Sequence, residues 1–170
     1  EIRTPSPSNR MVGFPYTKAM NSNWDLDQAA AVMVCSVAAA EASGVPRDRW
    51  VFLWAGTDAH DTYAVSERRD LHSSPAITEA ARRVFELSGT TPDEVTHVDL
   101  YSCFPSAVQV AAQSIGFGLD RQLTETGGLT FAGGPLNNYV THSIATMARV
   151  LRDDSGVIGL VSANGGFLTK

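Results

Sequence analysis

The chain has 170 residues, of which 44% are hydrophobic and 18% charged, and this composition is typical of a single globular domain. Its 13 basic and 18 acidic residues give a net charge of −5, which predicts no nucleic-acid partner, and no apolar run approaches the roughly 20 residues of a membrane span. Two cysteines without a CxxC pattern predict neither a disulfide framework nor a metal site.

The beginning of the chain differs in character from the rest. Residues 1–28 are predicted to lead into the domain, because Glu1–Asn23 is rich in Pro, Ser and Asn and has no clear hydrophobic period. Residues 29–170 are predicted to form the domain itself. A structureless lead of this length is uncommon in a compact domain, so we expect the chain to be a fragment of a longer protein.

Two apolar runs open the domain. Ala29–Ser36 and Trp50–Ala55 have the continuous apolar character of strands that are buried on both faces. The first run passes into a helix over Ala38–Ala42, although one helix that begins at Ala29 fits the same residues. We predict two strands here, with a helix between them.

The remaining elements carry cap, turn and periodicity signals. Helices are predicted where cap residues frame a helical apolar period, at Ser74–Gly89, Pro105–Ile115 and Leu136–Leu151. Strands are predicted at Val95–Tyr101, Leu129–Ala132 and Val157–Ala163, and the turn Asn164-Gly165-Gly166 predicts a returning strand from Phe167. The alternation of strands and helices predicts an α/β fold, with a mixed β-sheet covered by helices.

A predicted strand-to-helix junction carries the first candidate chemistry. The stretch from Asp99 to Pro105 holds Cys103 just before a helix, whose free amides could lower the pKa of the thiol and make it nucleophilic. The alternative is that Cys103 is a small buried apolar side chain, which is the more common role of a free cysteine.

Glycines and histidines mark the other candidates. The glycine-rich residues 126–138 allow either a close backbone approach to a ligand or simple tight packing. None of the histidines has metal-ligand spacing, and structural roles are favoured for His60, His72 and His97. His142 is the least certain of them, because it lies on the helix that follows the glycines.

Three of these segments, in this order, resemble the C-terminal half of the thiolase superfamily. The resemblance is nearest to the sterol-carrier-protein-2-type (SCP2-type) thiolases and to actinobacterial thiolase-like proteins of the acetyl-CoA acetyltransferase family, and it runs from about Met11 to the end of the chain. The family's NEAF or HDCF box reads Tyr101-Ser102-Cys103-Phe104, its GHP box reads Gly133-Gly134-Pro135, and its CxGG box reads Ala163-Asn164-Gly165-Gly166. Residues Asn21–Ala31 are similar to the family's segment with an NDGAA ending.

The resemblance implies one half of an αβαβα sandwich, and it carries over few of the family's catalytic groups. The histidine of the GHP box falls on Gly134, and the second acid/base cysteine falls on Ala163. The Asn or His that polarises the thioester oxygen falls on Tyr101, with its acidic neighbour on Ser102. The family's nucleophilic cysteine belongs to the N-terminal half, and neither cysteine of this chain takes its place.

The resemblance implies a C-terminal domain of a thiolase-like acyl-CoA acyltransferase with degenerate boxes. We expect the longer protein to bind acyl-CoA and the fragment itself to be inactive. One alternative is retro-aldol cleavage of a CoA thioester by Tyr101, assisted by His142 or Tyr139, and another is a non-enzymatic thiolase-like scaffold. Candidate catalytic residues are Tyr101, Cys103 and His142, and candidate CoA contacts are Asn23, Gly133 and Asn137.

The same resemblance sets the expectations for partners and place. No covalently bound cofactor is expected, and a coenzyme A thioester is the expected ligand of the longer protein. The expected partners are acyl-CoA, the missing N-terminal thiolase half and a possible second copy in a homodimer, but no nucleic acid and no membrane. The expected location is the cytoplasm.

Overall fold

A computed structural model describes all 170 residues of the protein. The strands are β1 (Met11–Gly13), β2 (Tyr16–Thr17), β3 (Val95–Asp99) and β4 (Ile158–Val161). The helices are α1 (Val37–Ala42), α2 (Pro75–Ser88), α3 (Pro105–Ile115), α4 (Gly128–Phe131) and α5 (Tyr139–Asp153). Short 3-10 turns lie at Lys18–Met20, Arg47–Arg49, Val65–Glu67 and Pro92–Glu94. None of the helices is long and apolar enough to cross a membrane.

The centre of the fold is the parallel pair formed by β3 and β4. Val98 lies opposite Leu160 and Asp99 opposite Val161, so both strands end at the same edge. A segment that precedes α4 runs along the other side of β3, where the Leu100 amide donates to the Leu123 carbonyl at 2.8 Å. This arrangement places the residues after β3 next to the residues after β4.

Helices cover the two faces of this pair. Val98 and Leu100 are fully buried and belong to one apolar cluster with Ala81 of α2 and with Ala111, Ala112 and Ile115 of α3. The helix α5 packs on β4 and β3. Its Met147 side chain fills the space in front of Gly159. The result is a helix-covered α/β core.

The predictions for α2 and α3 are confirmed by their caps. The Ser74 hydroxyl accepts a hydrogen bond from the Ile77 amide at 3.3 Å, and Pro75 is the first helical residue. The helix ends at Gly89, whose φ of 68° lies in the left-handed region. The helix α3 covers the predicted residues. The predicted third helix begins later than expected, at Tyr139, because Leu136 has a φ of 52°.

The two predicted strands at Ala29–Ser36 and Trp50–Ala55 are not formed. Neither segment has a neighbouring strand to pair with, and a β-strand needs such a partner to satisfy its backbone groups. The alternative of a helix from Ala29 is also wrong, because α1 begins only after Ser36, whose hydroxyl caps it. The apolar side chains of both segments are open to solvent, and Met33 is 90% exposed.

Two further strand predictions are wrong. Leu129–Ala132 lies mainly in the helix α4, because Gly127 and Gly128 take φ values of 84° and 77° and turn the chain into a helix. The residues from Phe167 onward form turns instead of a returning strand. The Thr169 amide donates back to the Gly165 carbonyl at 3.1 Å, which closes the chain on itself.

The beginning of the chain is more ordered than its composition indicates. The strands β1 and β2 form an antiparallel hairpin. The residues after it pack on the domain, since the Ser22 amide donates to the Cys103 carbonyl at 3.0 Å and the Asn23 amide donates to the Leu129 carbonyl at 3.1 Å. This packing brings the N-terminal segment to the edge where β3 and β4 end.

The C-cap of α2 gives a test of this architecture. We expect Gly89→Ala to lower the free energy of unfolding by about 1 kcal/mol, because a Cβ in the left-handed region is strained. No atom lies within 4 Å of the added Cβ, so steric crowding does not contribute. Urea unfolding measures the effect. Gly13→Ala is the matched control, since Gly13 also has open space but an ordinary φ, and equal losses in both variants would contradict the prediction.

Candidate functional site

The three box segments meet at the carboxyl edge of β3 and β4. The Tyr101 amide donates to the Ser162 hydroxyl at 3.0 Å, which joins the end of β3 to the end of β4. The Leu129 amide donates to the Ser102 hydroxyl at 3.0 Å, which joins the same edge to α4. The Gly134 amide donates to the Asn23 carbonyl at 2.8 Å. Carboxyl edges of parallel strands are the usual place for ligand sites in α/β proteins.

Tyr101 is half-buried at the centre of this edge. Its ring stands edge-on to the ring of Tyr139, with the centroids 5.5 Å apart and an angle of 90° between the planes. Its hydroxyl group hydrogen-bonds to no protein group. Burial raises the pKa of this phenol, and the neighbouring Cys103 raises it further. Tyr101 is therefore protonated at neutral pH, where it can donate a hydrogen bond but cannot act as a base.

Cys103 is also half-buried, and its thiol is not activated. Burial raises the pKa of the Cys103 thiol, and this effect outweighs the lowering by the backbone amides of Cys103 and Phe104. A protonated thiol is a weak nucleophile. The geometry favours the alternative in which Cys103 is a small apolar side chain of the junction.

The other predicted site residues differ in their exposure to solvent. Gly133 is buried near Leu26 and Gln28, whereas Asn23 and Asn137 are exposed. The Asn23 side chain accepts a hydrogen bond from the Asp25 amide at 3.3 Å. His142 is half-buried on α5, but Tyr139 of the same helix is the residue that contacts Tyr101.

The position that matches the family's histidine is filled by other side chains. A Cβ built on Gly134 would lie 2.5 Å from both the Leu129 Cδ2 atom and the Ser22 hydroxyl oxygen. A Cβ on Gly133 would collide with the Leu26 side chain. Ala163, which matches the second acid/base cysteine, is exposed. At the two positions that the resemblance assigns to proton-transferring groups, the chain thus has a glycine whose Cβ space is occupied and an exposed alanine.

Asp99 is the important residue that the sequence did not single out. It is fully buried and lies at the end of β3. One carboxylate oxygen accepts from the amides of Glu125 and Thr126 at 2.8 and 3.0 Å, and the other accepts from the Tyr139 hydroxyl at 2.8 Å. The only signal in the sequence is an acidic residue at the end of a strand, which does not show which groups bind it.

His97 forms a second polar connection on β3. Its Nδ1 atom lies 2.9 Å from the Glu125 carboxylate, and its Nε2 atom lies 2.9 Å from the Asp154 carboxylate just after α5. The hydrogen bond with Asp154 raises the pKa of His97 most, followed by the hydrogen bond with Glu125. The prediction of a structural role for His97 therefore agrees with the geometry.

The structure holds two further features that bear on ligands. No group of three His, Cys, Asp or Glu side chains is arranged to hold a metal ion. A polar cleft lies before α2 and is lined by Asp61, Arg68 and Asp70 among others. None of its lining residues belongs to the three boxes, so the cleft does not mark the candidate site.

Comparisons with known proteins agree with the thiolase resemblance that the three boxes carry. No family model matches the chain. The acetyl-CoA acetyltransferase of Methanothermobacter thermautotrophicus is 28% identical over 147 residues, which cover 76% of this chain and 38% of that protein. The acetyl-CoA acetyltransferase of Methanocaldococcus jannaschii is 26% identical over 91 residues, which cover 54% of this chain and 23% of that protein.

A solved structure gives a more extensive match. The crystal structure of the monomeric SCP2-thiolase like protein type 1 from Mycobacterium smegmatis superposes with a TM-score of 0.84 and 36% identity. The match covers 99% of this chain and 38% of that chain. The protein described here thus spans well under half the length of these relatives.

The fold and the order of the boxes define a thiolase-like α/β domain, as the sequence predicted. The two sequence matches and the solved structure together support the assignment of this chain to the thiolase superfamily, with an SCP2-thiolase like protein as the structural neighbour.

The pH dependence of stability tests the His97 contacts. Because the pKa of His97 is raised in the folded state, its contribution is complete below the unfolded value of about 6.5 and is lost as the pH rises through the folded value. We expect His97→Gln to lower the free energy of unfolding by roughly 0.5–1 kcal/mol at about pH 6, and by less at about pH 9. Urea unfolding at both pH values measures the difference.

The control for this experiment is His72→Gln. His72 is highly exposed and contacts only Asp70 of its own loop, so its replacement is expected to change stability little at either pH. A loss in His97→Gln that is the same at both pH values would contradict the prediction.

Proposed function

We propose that this chain is the C-terminal half of a thiolase-like protein of the acyl-CoA acyltransferase class, and that the longer protein binds acyl-CoA with degenerate catalytic boxes. The names of the curated relatives support the acyl-CoA class. The observation that carries the proposal is the filled position at Gly134, together with the absence of an acid/base side chain at Ala163.

Ordinary Claisen chemistry does not fit this site. Condensation and thiolysis in the family need side chains that move protons, and neither glycine nor alanine can do so. Neither Cys35 nor Cys103 matches the family's nucleophile, and the thiol of Cys103 is held protonated by burial, which raises its pKa. We therefore infer that the site binds a thioester without the family's proton-transfer steps, and that this chain by itself is inactive.

Tyr101 is the residue that we assign to the thioester. It occupies the position of the Asn or His that polarises the thioester oxygen in the family, and its hydroxyl group has no protein partner. Because its pKa is raised, the hydroxyl keeps its proton and can donate it in a hydrogen bond to the carbonyl oxygen. Asn23, Gly133 and Asn137 remain the proposed CoA contacts, and no covalently bound cofactor is proposed.

Retro-aldol cleavage of a CoA thioester is the second candidate function. The free and protonated hydroxyl of Tyr101 favours it, since such a group can stabilise the enolate that forms when the carbon–carbon bond breaks. The phenol then acts as a hydrogen-bond donor and not as the base. The Tyr139 hydroxyl is already bound to Asp99, so His142 is the proposed base.

The proposed partner is the N-terminal thiolase half of the longer protein. The unpaired segments Ala29–Ser36 and Trp50–Ala55 expose a set of large apolar side chains, which are Met33, Val34, Phe52, Leu53 and Trp54. Exposed apolar patches of this kind mark surfaces that another element covers. A homodimer contact is the alternative use. The location we propose is the cytoplasm, where the two free cysteines stay reduced.

The filled position at Gly134 can be tested directly. We expect Gly134→Ala to lower the free energy of unfolding by about 1–3 kcal/mol, because the added Cβ overpacks Leu129 and Ser22. Gly134→His is expected to lower the free energy of unfolding at least as much as Gly134→Ala does. We also expect it to restore no thiolase activity. Gly56→Ala serves as the control, since nothing lies within 4 Å of its added Cβ. A Gly134→His protein as stable as the wild type would overturn this account of the site.

Ligand binding tests the role of Tyr101. We expect calorimetric titration of the longer protein with acetyl-CoA to show binding, and Tyr101→Phe to weaken it by roughly 2- to 10-fold, which corresponds to one lost hydrogen bond. Tyr63→Phe is the matched control on an exposed tyrosine.

Two outcomes would contradict the proposal. The absence of acetyl-CoA binding by the longer protein would favour the non-enzymatic scaffold. Thiolase turnover by the 170-residue chain alone would show that the proposed inactivity is wrong.

A further inference from the structure

The Asp99 carboxylate is buried without a cationic partner. Nothing positively charged pairs with it, and a buried charge of this kind is costly unless hydrogen bonds compensate for it. Five donors do so, and they come from two parts of the chain that lie far from β3 in sequence. They are the amides of Glu125 and Thr126 and the hydroxyls of Thr126, Tyr139 and Ser143.

The two carboxylate oxygens of Asp99 accept hydrogen bonds from different elements. Oδ1 accepts from the turn before α4, through both amides and through the Thr126 hydroxyl at 2.9 Å. Oδ2 accepts from α5, through the hydroxyls of Tyr139 and Ser143, which are one helical turn apart. Asp99 therefore holds both α5 and the turn that begins α4 against the end of β3.

Tyr139 connects this carboxylate to the candidate site. Its hydroxyl donates to Asp99 Oδ2 at 2.8 Å, so the ring is held at its far end. The face-to-edge contact with Tyr101, at 5.5 Å between centroids, then depends on where that ring is held. Ser143 binds the same carboxylate but has no ring that could make such a contact with Tyr101.

We propose that Asp99 is a positioning residue of the candidate site, which acts through Tyr139 to set the orientation of the Tyr101 ring and hydroxyl. This rests on the proposed function, in which the Tyr101 hydroxyl donates to a thioester oxygen. The Tyr139 hydroxyl is committed to Asp99 and serves to orient Tyr101, and it takes no part in proton transfer.

The decisive comparison is between acetyl-CoA and free CoA as ligands of the longer protein. Free CoA lacks the thioester oxygen, so the ratio of the two affinities reports the hydrogen bond from Tyr101 and not the folding of the site. We expect Tyr139→Phe, which keeps the ring and removes the hydroxyl, to lower this ratio by roughly 2- to 5-fold, and by no more than Tyr101→Phe does, while the affinity for free CoA stays unchanged. In a Tyr101→Phe background the same change is expected to have no further effect.

Ser143→Ala is the matched control. It also removes one hydroxyl donor from Asp99 Oδ2, so its cost in stability resembles that of Tyr139→Phe, but the affinity ratio is expected to stay at the wild-type value. A ratio lowered equally by both variants would show a merely structural role for Asp99. An unchanged ratio in Tyr139→Phe, where Tyr101→Phe lowers it, would overturn the proposal.

A second measurement separates this proposal from the proposed function. The chain has four tyrosines, so NMR of ring-labelled tyrosine can assign the Tyr101 signal by comparison with Tyr101→Phe. We expect this signal to move in Tyr139→Phe and in Asp99→Asn, and to stay in place in Ser143→Ala. If acetyl-CoA does not bind, the proposed function fails, but a moved signal still supports the positioning role and a signal that stays in place in Tyr139→Phe overturns it.

Discussion

The parallel pairing of β3 with β4 is the constraint on which the rest of this structure depends. Parallel strands end at one edge, and the pair therefore brings together residues that are far apart in the chain, as the bond from Tyr101 to Ser162 shows. The turn before α4 and the segment at Ser22–Asn23 attach to the same edge through backbone hydrogen bonds. Without this pairing, the three boxes would have no common location.

Two features determine the chemistry of this edge: the space that side chains occupy at Gly134 and the hydroxyl of Tyr101, which has no protein partner. Leu129 and Ser22 take up the space in front of Gly134. The Tyr101 hydroxyl is left without a protein partner, and burial keeps it protonated by raising its pKa. Tyr101 therefore gives this edge one free hydrogen-bond donor.

Two apolar segments of the chain are unpaired and exposed to solvent. Strands need neighbours, and the segments Ala29–Ser36 and Trp50–Ala55 have the composition of buried strands without the neighbours. Their side chains are consequently open to solvent, with Leu53 at 85% exposure. The relatives matched here are more than twice as long as the matched region.

The sequence by itself determined the elements whose signals are local. Ser74, Gly89 and Gly116 frame α2 and α3 because caps and left-handed glycines act on their own helix, and the order of the boxes identified the superfamily. Only the tertiary structure decided that Ser22 occupies the space at Gly134 and that Asp99 binds five donors. Each of these depends on groups that are distant in the chain, and a pattern of neighbouring residues carries no information about such contacts.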